Sequence, residues 1–315
     1  MDRFSAHMDR SLDLVTRGKV TLALAAAHQA LEISPENPEV HNLIGYVHAM
    51  GGDFDNALEN YRKAIDLDEW YLEPILNAAE LLVHPDADPD EAIRLCRRAA
   101  EMDLSAQELA DVALVEVDAL LGTGREEIAR ERISQIGEID SLPAAYQTIL
   151  GRALLDLGEI DEAKKLVNRS LNLDPDISDT WYCAGLIARE EGRRIDAVTA
   201  FLATRERDLK LPRVPWAIAA GDLDKIVSDL IGNMKQGFRE TLNGTRVVVA
   251  DYPGKDQILQ EIDPREVVYA QGVDPDRKTF DTLWIFSQNL ERVISPLNME
   301  DGLRKLIENE IGGSE

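Results

Sequence analysis

The chain has 315 residues, room for two domains, and a formal net charge of −25. The acid excess is concentrated in residues 1–212, which carry 41 acidic and 22 basic side chains. Basic residues gather only in short pairs such as Arg97-Arg98 and Arg193-Arg194, so the footprint that displaces counterions from phosphates is missing, which argues against nucleic acid or an anionic membrane as partner.

The first residues, MDRFSAHMDRSLDL, hold acids and no apolar core, so they do not read as a secretory signal. No window approaches 18 consecutive apolar residues, and no membrane span is expected. From there a fixed period sets in. Ala23, Ala57, Ala92, Ala129, Ala163 and Ala197 follow one another at 34, 35, 37, 34 and 34 residues. Gly18, Gly52, Gly124, Gly158 and Gly192 each stand five residues ahead of one of these alanines. A period near 34 means one supersecondary unit copied and stacked.

Within 147–175, Leu150, Gly151 and Leu154 lie on a first predicted helix, Gly158 breaks it, Ala163 and Val167 lie on a second, and Pro175 ends that. The next copy shows Trp181, Gly185, Gly192, Ala197 and Phe201; the second copy shows Gly45, Gly52, Ala57, Tyr61 and Ala64. Small residues at Gly45, Gly151 and Gly185 let paired helices approach, and Tyr61 and Phe201 fill the gap to the next pair. Six copies are read, near 4–37, 38–71, 72–106, 107–143, 144–177 and 178–212. The first has Ser11 in place of the packing glycine. The third has a long acidic turn at 84–90, where Asp86, Asp88 and Asp90 alternate like a calcium loop but lack its glycine and distal glutamate, so a solvated turn is expected. The fourth lacks the terminal proline. Cys96 and Cys183 both fall on predicted helices as small apolar packing residues; with no disulfide framework they point to a reducing compartment, a bacterial-type cytoplasm.

These offsets resemble the tetratricopeptide repeat over about two thirds of the chain. The resemblance implies an α-helical solenoid whose first helices build a concave wall. The family's groove positions are the second, fifth, ninth, twelfth and thirteenth of each repeat. Carried over, they are Glu39, Asn42, Tyr46 and Met50 in the second copy, Thr148, Arg152, Leu155 and Asp156 in the fifth, and Asp179, Tyr182, Leu186, Arg189 and Glu190 in the sixth. Such a wall suits a protein or peptide partner, an amphipathic helix or extended segment with basic residues beside an apolar face. A chaperone-tail clamp needs a ring of Lys and Asn, and only Asn42 and Arg152 approach that chemistry.

The period stops near 212, where Leu211-Pro212-Arg213-Val214-Pro215 reads as a linker into a domain spanning 213–315. There Asp222 to Leu242 reads as one amphipathic helix, with Ile226, Leu230, Met234 and Phe238 every four residues. Arg246 to Asp251 and Thr282 to Phe286 read as strands, and 263–273 as loop with a short strand. Helices follow at 287–294 and 299–311, the latter behind Asn298 as N-cap. The order and the strings RVVVADYP (246–253), DPREVVYAQGV (263–273), LWIFSQNLER (283–292) and LRKLIENEIGG (303–313) resemble the minimal zincin-like bacterial metallopeptidases. In that family the last helix carries H-E-x-x-H, two zinc-binding histidines around a general-base glutamate. Here the string is Asn309-Glu310-Ile311-Gly312-Gly313. The glutamate remains and both histidines are gone.

All five histidines and both cysteines lie outside this domain, so no zinc site, other metal or cofactor is expected, and Glu310 reads as an exposed carboxylate. The reading is an interaction scaffold with an inactive peptidase-like domain as cap or second binding site. Two alternatives stay open at this point: a metal-dependent hydrolase with unusual ligands, and a second domain that is purely structural.

Overall fold

The computed structural model describes residues 2–83, 87–137, 139–214, 217–274, 279–294 and 299–312. Asn298, Gly313, Pro215 and residues 84–86 of the acidic turn lie outside them. The chain divides into two compact units, Met1–Ala200 and Phe201–Glu315. The division falls inside the helix Arg194–Asp208, ahead of the linker read at 211–215. The last turn of that helix belongs to the second unit because its wholly buried Asp208 carboxylate faces Arg265 at 3.4 Å and Arg292 at 3.5 Å.

The periodic region forms helix–turn–helix pairs: α1 (Arg3–Thr16) with α2 (Val20–Ile33), α3 (Pro38–Met50) with α4 (Phe54–Leu67), and α5 (Leu72–Leu82) with α6 (Pro89–Ala99). After them come α7 (Ala106–Gly122) with α8 (Glu126–Ser134), α9 (Ala144–Asp156) with α10 (Ile160–Leu173), and α11 (Ser178–Glu190) with α12 (Arg194–Asp208). Local chemistry starts these helices. Asp53 and Asp88 accept amide hydrogens three residues on, Pro38 and Pro89 occupy the first turn, and Ser105 and Glu108 form a reciprocal capping box.

The glycine ladder has one cause. Gly18, Gly52, Gly124, Gly158 and Gly192 all have φ between 70° and 78°, the left-handed region that a side chain disfavours. Each lets the next residue turn back and donate its amide to a carbonyl of the helix just ended: Lys19 to Leu14, Asp53 to His48, Arg125 to Leu120, Glu159 to Leu154 and Arg193 to Ala188, at 2.8–3.0 Å. The alanine ladder has another cause. All six alanines are buried, and in three pairs the alanine stands at the crossing, its carbonyl facing Ser11, Gly45 or Gly151 of the first helix, so a larger side chain there would push the pair apart. Opposite them, a Cβ on Gly45 would stand 2.6 Å from the Tyr61 ring, and Ser11 Oγ donates to the Ala23 carbonyl at 2.9 Å.

Consecutive first helices pack side by side, α1 on α3, α3 on α5, α5 on α7, α7 on α9 and α9 on α11. One wall of the unit is therefore made of first helices alone. Ion pairs tie successive repeats together: Arg62 of α4 to Glu91 of α6 at 2.5 Å, Arg130 of α8 to Glu159 just ahead of α10 at 3.1 Å, and Lys164 of α10 to Glu191 in the turn after α11 at 2.6 Å. The short α8 leaves Glu116 of α7 only 5% exposed, held by Arg97 at 3.1 Å and Arg132 at 2.8 Å.

The second unit contains α13 (Ala220–Gly232), α14 (Gln236–Thr241), β1 (Arg246–Ala250), α15 (Lys255–Leu259), β2 (Val268–Asp274), β3 (Thr279–Phe286), α16 (Ser287–Val293) and α17 (Met299–Gly312). The single helix expected over 222–242 is thus two. Asn233 closes the first by donating to Asp229 and Leu230. Gly232 and Gly237 flank the break, each weakening helix by about 1 kcal/mol, and the turn drops Met234 into the core at 3% exposure. The sheet order is β1-β3-β2, with β1 parallel and β2 antiparallel to β3. The strand read at 282–286 is longer, and α15 is an element the sequence reading lacks. One apolar core joins Leu223 and Leu230 of α13, Leu283 and Ile285 of β3, and Leu303 and Ile307 of α17.

Candidate partner-binding groove

The wall of first helices opens into a groove of about 720 Å³ along α5, α7 and α9. Its acids are Glu73, Glu80, Asp111, Asp118 and Asp156; its apolar floor includes Leu76, Leu114, Val115, Leu121 and Ile149. Arg152 is the one cation among the described lining residues. Its Nε meets Asp156 at 3.1 Å and its guanidinium lies 5.6 Å from the centre of the Tyr182 ring. The Tyr146 hydroxyl donates to Asp111 and joins α9 to α7.

These carboxylates crowd one another. Glu80 is exposed in area, yet the groove walls strip part of its hydration. That desolvation raises its carboxyl, with the Asp111 charge adding to it. Asp118 is raised in the same way, by desolvation and then by Asp156. An acid-lined concave surface concentrates negative potential and favours cationic visitors.

The sequence-predicted residues fall into three groups. Arg152 and Asp156 line this groove, and Tyr182 joins it through the stacked guanidinium. Tyr46 and Met50 are half-buried against the core of the first two pairs, and Leu155 against the core of the last two. Leu186 is half-buried, while Glu39, Asp179, Arg189 and Glu190 are exposed, apart from the groove's lining. Asn42 is buried, with its amide committed: Asn77 donates to it at 3.0 Å and it donates to the Tyr71 hydroxyl at 3.3 Å. Thr148 is buried in a hydroxyl triangle with Ser170 at 2.8 Å and Thr180 at 2.6 Å, so it locks the stack rather than lining the wall.

In the second unit, Asn309 is exposed. Glu310 differs from the exposed carboxylate expected: it is half-buried, and its Oε1 accepts the Ala270 amide of β2 at 2.7 Å. No group of three or more His, Cys, Asp or Glu is placed to hold a metal ion among the described residues. No helix among them is long and apolar enough to cross a membrane.

Family models described as tetratricopeptide repeat match residues 8–69 and 144–177. Both matched stretches, the helix pairs of repeats one and two and of repeat five, lie in the first unit. The chain is 25% identical over 174 residues to tetratricopeptide repeat protein 8 of Caenorhabditis elegans, covering 54% of this chain and 33% of that protein. It is 22% identical over 239 residues to cellulose synthase operon protein C of Pseudomonas fluorescens, covering 71% of this chain and 17% of that protein. The chain therefore spans a third or less of the length of these relatives. Among solved structures, pilF of Pseudomonas aeruginosa superimposes with a TM-score of 0.54 at 18% identity, over 65% of this chain and 91% of that one. A tetratricopeptide repeat protein from Parabacteroides merdae gives 0.55 at 11% identity, over 65% and 78%. PilW, a type IV pilus biogenesis factor, gives 0.52 at 15% identity, over 66% and 91%. These likenesses show the fold. Tetratricopeptide repeats offer extended concave surfaces that bind other proteins.

The repeat register also explains what sequence reading missed. Of the positions that the same offsets give in the third and fourth repeats, Glu108 and Ala119 fall outside the groove's lining and His84 lies outside the described residues; the others are Glu73, Leu76, Glu80 and Val83 in the third and Asp111, Val115 and Asp118 in the fourth. These seven line the groove. The register carries the signal, but the long turn of the third repeat and the missing proline of the fourth obscure it.

Proposed function

We propose that this protein is a non-enzymatic protein–protein interaction scaffold that holds a partner segment in the groove of α5, α7 and α9. The observation that carries the reading is the groove itself: five carboxylates and a leucine-rich floor gathered from three repeats on a wall built only of first helices. Its chemistry favours a protein or peptide segment with basic residues beside an apolar face, the apolar contacts supplying affinity and the charges steering association.

The second unit is proposed as a degenerate metallopeptidase-like domain that caps the array or holds a second partner. Support comes from the strings it shares with that family and from Glu310, which spends its carboxylate on the β2 backbone where an active motif would need it for water. A bacterial-type cytoplasm fits the overall acidity and the two buried free cysteines, one of which, Cys96, has its thiol pushed up to about 12 by burial.

The test is affinity purification from the native cell with the full chain and with Leu114→Arg, compared by mass spectrometry at matched circular dichroism. The variant loses specific partners if the groove holds them. An unchanged set of partners at unchanged yield rules the groove out.

A further inference from the structure

The groove has an internal spacing. On α7, Asp111, Leu114, Val115 and Asp118 all line it, and offsets of three, four and seven residues put them on one helical stripe. The two carboxylates are two turns apart, about 10.5 Å at a rise of 1.5 Å per residue. The adjacent wall repeats the design: Glu73, Leu76, Asn77 and Glu80 of α5 line the same groove with the same offsets. On α9, Ile149 and Asp156 are also seven apart. An acid at each end of a seven-residue stripe is thus written twice, side by side, with Leu114 and Val115 between them on α7 and Leu76 beside Asn77 on α5.

We propose that the groove selects a helix of a partner protein bearing Lys or Arg at positions i and i+7 and apolar residues at i+3 and i+4. Such a helix lies along α7 and meets it stripe to stripe, because both have the same rise per residue. One cation settles near Glu80 and Asp111, the other near Asp118 and Asp156. Between them the apolar pair covers Leu114, Val115, Leu76 and Ile149, the last of which is 52% exposed in the free protein. Glu80 and Asp118, whose carboxyls are raised by desolvation first and by the Asp111 and Asp156 charges second, then each share a cation with that neighbour. Arg152 already answers Asp156 from within the wall, so the second cation binds beside an existing pair and the first contributes more. The proposal rests on the groove being the partner site.

The test uses the full chain and fluorescein-labelled helical peptides of about 18 residues, long enough to hold helix in water. One carries Lys at i and i+7 with Leu at i+3 and i+4; a second has the same composition with the lysines moved to the opposite face. Fluorescence anisotropy is expected to show about ten-fold tighter binding of the first, the scale of one close charge pair. Asp111→Asn with Asp118→Asn abolishes that preference, while Asp161→Asn, an exposed acid on α10, leaves it intact. The amide oxygen introduced by Asp111→Asn can still accept from the Tyr146 hydroxyl, so the wall keeps its link. Equal binding of both peptides, no binding of either, or a preference that survives the double variant overturns the proposal. If Leu114→Arg still strips native partners in that case, the groove reading stands and only the spacing falls. If Leu114→Arg strips none, the groove reading falls as well.

Discussion

The two units bury apolar surface in different ways. In the first, three clusters are strung along the stack, one in repeats one and two, the largest spanning repeats two to five, and one in repeats five and six. The main helix contacts among the described residues run within a pair or to the next pair. In the second unit a single cluster draws on Leu223, Leu283 and Leu303, which are far apart in sequence. A stack of copies distributes its stability and leaves an unclosed wall of first helices as surface. A single closed core concentrates stability and turns polar groups inward onto its own backbone, as with Glu310 on the Ala270 amide.

That contrast breaks if a core deletion acts equally locally in both units. Leu283→Ala removes a fully buried side chain from the centre of the one cluster. It is expected to cost about 2–5 kcal/mol and to lower amide protection throughout β1, β2, β3 and α17 together. Leu150→Ala removes an equally buried leucine from the repeat stack, but protection should fall in α9, α10 and their neighbouring pairs and persist in α1 and α2. Hydrogen exchange by mass spectrometry separates the patterns. Loss spread across α1 to α11 after Leu150→Ala would sink the idea of a distributed stack.

Legibility in the sequence follows the same divide. The ladder from Gly18 to Gly192 and the one from Ala23 to Ala197 are visible because the same steric demand recurs at one period, so each copy corroborates the others. In the second unit β1, β3 and α17 are legible from local pattern, but the order β1-β3-β2 is not, because long-range pairing leaves no local mark. The 222–242 helix misled for a related reason: its four-residue spacing continues through Met234, while the break depends on where that methionine is buried. Among groove residues, Asp156 and Arg152 were legible from register. The commitment of Asn42 to Asn77 and Tyr71, and of Thr148 to Ser170 and Thr180, depends on neighbours a single register cannot show.

The next test sharpens the point that the copies are not identical. Glu116 is the one buried acid among the described residues of the first unit, enclosed by Arg97 and Arg132. Glu116→Gln leaves Arg132, 18% exposed, without its charged acceptor, whereas Arg97 at 58% still reaches water. A loss of about 1.5–3 kcal/mol is expected, the size of hydrogen bonds to charged groups, read as a lowered urea midpoint. A change under about 0.5 kcal/mol would class the triad with ordinary surface pairs.

Two glycines at one repeat position give a smaller and signed difference. A Cβ on Gly45 meets Tyr61 ring carbons at 2.6 Å and the Ala57 carbonyl at 3.0 Å. The same atom on Gly151 meets a Val167 methyl at 3.0 Å and the Ala163 carbonyl only at 3.5 Å. Alanine gains up to about 1 kcal/mol over glycine inside a helix. Gly45→Ala is expected to lose about 1–3 kcal/mol through overpacking, and Gly151→Ala to stay within about 1 kcal/mol of the parent. Equal losses at both would mean the aromatic at Tyr61 is not what sets the spacing of that pair.

The smallest effect has the most to say about function. Glu80 and Asp118 have carboxyls raised in the folded chain, by desolvation first and by Asp111 and Asp156 second. A raised acid binds its proton more readily folded than unfolded. Its cost to stability is therefore full at neutral pH and is relieved as pH falls from above the folded value towards the ordinary carboxylate range. Glu80→Gln or Asp118→Asn should accordingly raise the melting temperature slightly at pH 7, by no more than about 0.5 kcal/mol because both side chains are exposed in area. The gain should shrink as pH falls through that window. Such a gain would fit acids placed for a partner at some cost to the free protein. A variant that lowers the melting temperature at pH 7, or a gain that grows towards acid, would show that these acids serve the stack and not the partner.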